Sequence, residues 1–335
     1  MMYWTCAVIL FLLLLLSNVS AAETVEMAPG LKEFKIHLYK IQGFLGQGGQ
    51  GTVMVYEKMG VSNNLSPENQ YYPQKIAVKV FQSKAEKQFV RESGHMAKVC
   101  ENKPENVVKC YGRCTLRDGQ LGLVMDLYDS DLMDIKCSLS EGKEILRQIA
   151  MGLKQLKKLD IVHCDIKPHN ILRRTVNMGM FQIAVTDLGV SKHMSQTQKS
   201  NEARPGGTDK WMAPEIQGDM PYMTYGHPVD VYGFGLTAIF ILTGQKPHPK
   251  GKEVEADELN KWIDKCIDDA SLTDDKLIKF IKGCLKYCPD ERIAKDKLID
   301  HNFFHDEEEV QHLDEARALP RMSMDAGNHQ KNCFT

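Results

Sequence analysis

The chain has no surplus of positive charge. Its 42 lysines and arginines are outnumbered by 44 aspartates and glutamates, for a formal net charge of −2 over 335 residues. Proteins that hold nucleic acid carry a basic face or stripe, so no nucleic-acid partner is expected. Nor is there an internal repeat, which excludes an array of stacked units. The ten cysteines include no pair with the two-residue gap of a zinc knuckle or redox motif. Cys110/Cys114 and Cys284/Cys288 stand at i, i+4, where packing is the simpler reading. Losing Cys6 with a leader would leave nine, an odd number for a closed disulfide set.

Apolar runs long enough to concern a membrane are lacking except at the N-terminus. There "WTCAVILFLLLLLSNVSAAE" holds an uncharged run from Cys6 to Leu16, shorter than the ~20 residues a spanning helix needs. Met1 to Ala22 just reaches that length. Ala21 and Ala22, with Val19 or Ser20 two positions earlier, resemble a signal-peptidase site, although no Lys or Arg precedes the run. Residues 1–22 are therefore expected to be a signal peptide or an N-terminal membrane anchor, which leaves the secretory pathway and the cytoplasmic face both open. In a secretory route, Asn64-Leu65-Ser66 would be a sequon, weakened by Pro67.

What is present is the composition of an ordinary globular protein, 43% hydrophobic and 26% charged. After a linker over 23–33, strand-like segments run from Phe34 to Phe81, broken by the polar loop "GVSNNLSPENQYYPQ". Helical periods then take over. Ile145, Leu146, Ile149, Leu153 and Leu156 form one stripe, and "DVYGFGLTAIFIL" is apolar on nearly all sides, as a helix inside a larger lobe would be. The expected architecture is α+β and bilobal, with a small β-rich lobe over about 34–125 and a helical lobe over about 129–304. An acidic, polar tail over 305–335 follows.

Chemistry-bearing residues sit at the joints of this pattern. "GQGGQGTV" places Gly46, Gly48 and Gly51 in G-x-G-x-x-G spacing, which lets backbone N–H groups approach phosphate oxygens. A dinucleotide fold would enter a helix here. Val53 and Val55 alternate instead, so a strand follows. In "KIAVKVF", Ile76, Val78 and Val80 share one face and Ala77, Lys79 and Phe81 the other. A lysine in an apolar strand needs a charge partner. Glu92 offers one, because Phe89, Glu92 and Met96 lie on one helical face, even though Ser93 and Gly94 weaken that helix.

With "HCDIKPHN", "DLG" and "APE" following in order, the chain resembles a eukaryotic protein kinase over 34–304. The resemblance implies ATP and Mg²⁺ as cofactors and a protein as substrate. It makes Asp165 the catalytic base, Lys167 and Lys79 phosphate-contacting lysines, and Asn170 and Asp187 metal ligands. The nucleotide pocket would comprise Gly46, Gly48, Gly51, Val53, Ala77, Lys79, Glu92, Leu172 and the inter-lobe residues Met125, Asp126 and Leu127. Ser195, Thr197, Ser200 and Thr208 would be regulatory positions of the activation segment, Thr208 also lying beside the base. His163, Glu215, Asp230 and Arg292 would be structural. Lys167 resembles the Ser/Thr type, and Trp211-Met212 the tyrosine-kinase-like Ser/Thr group. Two departures stand out, Leu188 for Phe and Cys164 for the usual Arg. The family's Arg pairs with a phosphorylated residue, which a cysteine cannot do, so a regulatory clamp is missing. The expected function is Ser/Thr phosphotransfer. The alternatives are a nucleotide-binding pseudokinase scaffold and a kinase of small molecules.

Overall fold

A computed structural model describes residues 31–48, 51–60, 72–82, 84–177, 179–193, 208–216 and 226–305. Strands β1 (Tyr39–Gly48), β2 (Gly51–Lys58), β3 (Lys75–Phe81), β4 (Cys110–Thr115) and β5 (Leu121–Asp126) form an antiparallel sheet in the order β1-β2-β3-β5-β4. Central β3 is buried at every position but Lys75. Its alternation holds: Ile76, Val78 and Val80 join an outer apolar cluster with Phe34 and Tyr56. Phe81 enters the main core and meets Phe89 edge-on at 5.2 Å.

Strand β4 breaks its own alternation. Cys110 and Cys114 would share one face of a regular strand, yet Cys110 lies in the main core and Cys114 in the outer cluster. The register slips between Cys110 and Gly112, and such a bulge exchanges the two faces. Gly112 adopts φ +142°, and a Cβ there would come within 2.3 Å of the Lys32 carbonyl oxygen. Residues 31–33, read as linker from sequence, dock at this point. Leu31 is buried in the main core, Glu33 bridges Arg113, and the Arg113 N–H donates to Lys32.

Helix α1 (Glu86–Asn102) crosses behind the sheet and buries Phe89, Glu92 and Met96. Ser93 is accommodated because its hydroxyl donates to the Val90 carbonyl at 2.9 Å. In the second lobe, α2 (Leu139–Lys158) opens with a Ser138/Glu141 capping box, and its expected stripe is fully buried. Two small sheets follow, β6 (Ser130–Asp131) with β8 (Ile171–Asn177) and β9 (Met180–Val185), and β7 (Ile161–Val162) with β10 (Lys192–His193). Helix α3 (His227–Thr243) is buried almost throughout and stops at Gly244, which takes φ +72°. Helices α4 (Ala256–Asp269) and α5 (Asp275–Cys284) pack around it.

The α+β, bilobal architecture is as expected. The leader 1–22, the sequon, Ser195, Thr197, Ser200 and the tail beyond residue 305 lie outside the described residues. Among the described residues, no helix is long and apolar enough to cross a membrane.

Candidate active site

The site is built where the two lobes meet. Lys79 comes from the middle of β3, and its side chain is 9% exposed. Its ammonium donates to both Glu92 oxygens, at 2.9 and 2.7 Å, and to Asp187 Oδ1 at 2.8 Å. The inward stripe of α1 thus delivers its acid to the strand lysine, and the residues after β9 deliver a second. Burial pushes the Glu92 carboxyl up to about 7, while the Lys79 charge works against that rise. Burial also acts to raise Asp187. The Lys79 charge and hydrogen bond, aided by the Gly189 N–H, outweigh it and hold Asp187 below the usual carboxylate value. Arg91 donates to the Gly189 carbonyl and ties α1 to the same turn.

The second half of the site is the loop after β7. Asp165 accepts from Lys167 Nζ at 2.6 Å and from Asn170 Nδ2 at 2.9 Å through Oδ2, and from the Thr208 N–H at 3.1 Å through Oδ1. Lys167 also donates to the Thr208 hydroxyl at 2.5 Å. Thr208, expected both among the regulatory positions and beside Asp165, stands within the hydrogen-bond group of that carboxylate. Asn170 spends its N–H donors on Asp165, so its amide oxygen is the atom it can offer a cation. With a carboxylate at Asp187 and an amide at Asn170, the donors are the hard oxygens Mg²⁺ takes. Among the described residues, no cluster of three or more His, Cys, Asp or Glu side chains could hold a metal. An ion here would therefore complete its shell with phosphate oxygens and water.

The glycines divide their work. A Cβ on Gly51 would meet the Val80 carbonyl oxygen at 2.2 Å, whereas Gly46 and Gly48 have open space around them. Gly51 thus serves the approach of β2 to β3, and the other two leave bare backbone at the strand end. Val53 pairs with Lys79 across β2–β3, and Ala77 with Met125 across β3–β5. Leu172 on β8 packs against the main core, and Leu127, between the lobes, is half-buried. Asp126 accepts from Tyr111 and from Arg174, so its side chain is tied to the lobe junction. A separate hollow of about 250 Å³, lined by Phe81, Glu86, Phe89 and Asp118 among others, lies between the end of β3, the first turn of α1 and the β4–β5 turn, and holds none of these groups.

The four residues expected to be structural all make internal bonds. His163 is fully buried, and its Nε2 lies 2.8 Å from the Thr186 carbonyl. Arg292 grips Glu215 through two bonds of 2.6 and 2.8 Å and lies over the Tyr232 ring. Asp230 accepts from the backbone N–H groups of His163 and Cys164. A Cβ on Gly233 would reach the Ile166 carbonyl oxygen at 2.8 Å, so this glycine lets α3 press against the loop. Burial, then the Asp230 charge, push the Cys164 thiol well up, so it stays neutral and offers no cation. Sequence reasoning missed Lys295, fully buried and 2.6 Å from Asp230. In "RIAKDKLID" it reads as one more member of a solvated charge run, and no local signal marks it as internal.

Residues 39–304 match the family described as protein kinase domain. The chain belongs to the protein kinase family. Among its curated relatives, the kinase pakH of Dictyostelium discoideum, named a serine/threonine-protein kinase, is 28% identical over 275 residues, covering 79% of this chain and 49% of its own length. The serine/threonine-protein kinase/endoribonuclease ire-1 of Caenorhabditis elegans is 31% identical over 176 residues, 48% of this chain and 17% of that protein. A light-sensor protein kinase of Ceratodon purpureus is 28% identical over 246 residues, 64% of this chain and 17% of that protein. The kinase domain thus spans about half or less of the length of these relatives.

Proposed function

We propose that this kinase domain transfers the γ-phosphoryl group of Mg-ATP to Ser or Thr hydroxyls of a protein. One observation carries the reading. Groups from β3, α1, the loop after β7 and the turn after β9 converge, with Lys79 joined to Glu92 and Asp187, and Asp165 joined to Lys167 and Asn170. In the reaction a substrate hydroxyl oxygen bonds to the γ-phosphorus, the bond to the β–γ bridging oxygen breaks, and ADP leaves. Asp165 orients the hydroxyl and accepts its proton. Lys167, already against Asp165, offsets charge on the transferring group, and Lys79 holds the α- and β-phosphates against the sheet. Asn170 and Asp187 would hold Mg²⁺, which when bound neutralises charge between phosphates.

The Ser/Thr preference rests on Lys167 and on the naming of the relatives pakH and ire-1 as serine/threonine-protein kinases. The test is γ-phosphate transfer to a generic protein substrate, with phosphoamino-acid identification and Asp165→Asn as control. Transfer to Ser or Thr that the substitution abolishes is the expected result. Nucleotide binding without transfer in the native chain would favour a scaffold, and phosphotyrosine would overturn the residue class. For residues 1–22 we propose targeting to a membrane system, checked by protease protection of the kinase domain in microsomes. A wholly soluble cytosolic product retaining Met1 would refute it.

A further inference from the structure

We infer that Lys295 is a positioning residue for the catalytic loop, holding the backbone of Ile161–Cys164 in the shape that aims Asp165 and Asp187. The inference deepens the phosphotransfer reading and relies on it for one of its two readouts.

An ammonium taken wholly out of water is tolerated when each of its three N–H donors has an acceptor. Lys295 and Asp230 both have 0% side-chain exposure. The three acceptors around Lys295 Nζ are Asp230 Oδ2 at 2.6 Å, the Ile161 carbonyl at 3.2 Å and His227 Nδ1 at 3.4 Å. The third works only with a neutral imidazole. Burial, then the Lys295 charge, pull His227 down to about 4, so it is neutral in neutral solution. The lysine is thus a complete three-way clamp drawn from a segment 134 residues after Ile161 in the chain.

Two of its contacts bear on the loop. Lys295 touches the Ile161 carbonyl directly. Asp230, which it anchors through Oδ2, accepts from the His163 N–H at 2.9 Å and from the Cys164 N–H at 2.8 Å. Cys164 stands at φ +67°, a left-handed conformation that is unfavourable for a non-glycine residue. These bonds keep it there. The consequences reach the chemistry through His163. The Asp165 N–H, which can only donate, lies 3.3 Å from His163 Nδ1, so that nitrogen is an acceptor and Nε2 carries the proton. Nε2–H then donates to the Thr186 carbonyl at 2.8 Å, one residue before Asp187. One imidazole therefore links the base's backbone to the metal ligand's, and the Lys295–Asp230 pair fixes where that imidazole stands.

The test uses the full chain with Lys295→Met, which keeps length and removes charge, and the double variant Asp230→Asn/Lys295→Met, which leaves no orphan carboxylate. In both, amide exchange in a peptide spanning 161–166 should quicken about tenfold or more while exchange in β3 is unchanged. The kcat should fall about tenfold or more, with KM for ATP within about threefold. The double variant should regain thermal stability without regaining kcat, because Asn has one acceptor oxygen and nothing reaches Ile161. Unchanged loop exchange would overturn the inference. So would recovery of kcat together with stability, the mark of simple charge balance. If Lys295→Met alone does not fold, the double variant carries the comparison. A native chain without Asp165-dependent transfer would sink the kinase reading, and the exchange arm would still decide the role of Lys295.

Discussion

Lys79 and Lys295 are both buried against carboxylates, and the two clusters are built to different ends. At the cleft, Lys79 meets two acids, Glu92 and Asp187, and the Asp187 side chain remains 38% exposed. Inside the helical lobe, Lys295 meets a single acid, with a carbonyl and a neutral imidazole taking its other donors. The first has more negative than positive charge and an open side, the condition for admitting a cation and a phosphate. The second is balanced and closed, the condition for staying put. Each lysine comes from one element and each partner from another, so both clusters also register the packing of those elements.

The sharpest way to break this comparison is at Asp165, the proposed base. Asp165→Asn should reduce phosphoryl transfer about 10²–10⁴-fold with almost no loss of thermal stability, since asparagine can still accept one of the bonds. A parallel fall in melting temperature would show that the open cluster is also structural. Next in size, Glu215→Gln should unfold the helical lobe more readily by about 3–5 kcal/mol, as breaking a buried pair does. The buried Arg292 guanidinium would be left without its carboxylate. Denaturant titration measures this, and a change under about 1 kcal/mol would show that the Glu215–Arg292 pair does not brace the lobe.

Gly51→Ala should destabilise the small lobe by about 1–3 kcal/mol, because the added methyl meets the Val80 carbonyl. Gly48→Ala should be tolerated in stability and be felt mainly in KM for ATP. Equal thermal shifts in the two variants would contradict the division of roles.

The neutrality of His227 gives a pH signature. Its folded value is depressed to about 4, so the unfolded chain binds the extra proton first. The stability it contributes is present above its ordinary value of 6.5 and is lost as pH falls from there towards 4. The loss should be about 1–2 kcal/mol after allowing for its partial exposure, and His227→Gln should flatten that limb. The smallest effect concerns the activation segment. With a neutral thiol at Cys164, phosphatase treatment should leave kcat within about tenfold. A loss of a hundredfold or more would show that a phosphate clamp exists elsewhere.

Legibility in the sequence followed the range of the signal. Lys79 stood out because charge in an apolar strand is an anomaly within seven residues, and Glu92 because it fell on an apolar helical stripe. The Asp165–Asn170 loop is compact enough to appear as one motif. The register slip in β4 was not legible, since nothing local says that Gly112 must lie beneath Lys32. The different duties of Gly46, Gly48 and Gly51 were hidden for the same reason, because spacing is blind to which backbone lies opposite. Lys295 was the largest omission. It looks like any lysine of a polar segment until Asp230, Ile161 and His227 are assembled around it.

Taken alone, the sequence determined the kinase family, the two-lobe order of strands and helices, and the identity of the groups at the cleft. Those depend on short-range periodicity and contiguous motifs, which the chain carries within a few residues. Only the tertiary structure decided that Asp187 joins Glu92 on Lys79, that Lys167 bonds Thr208 as well as Asp165, and that a closed lysine clamp lies behind the loop. Such pairings depend on atoms brought within 3 Å or so from distant positions. Burial then sets their worth, because a charge that is trivial in water becomes costly unless every donor has found its acceptor.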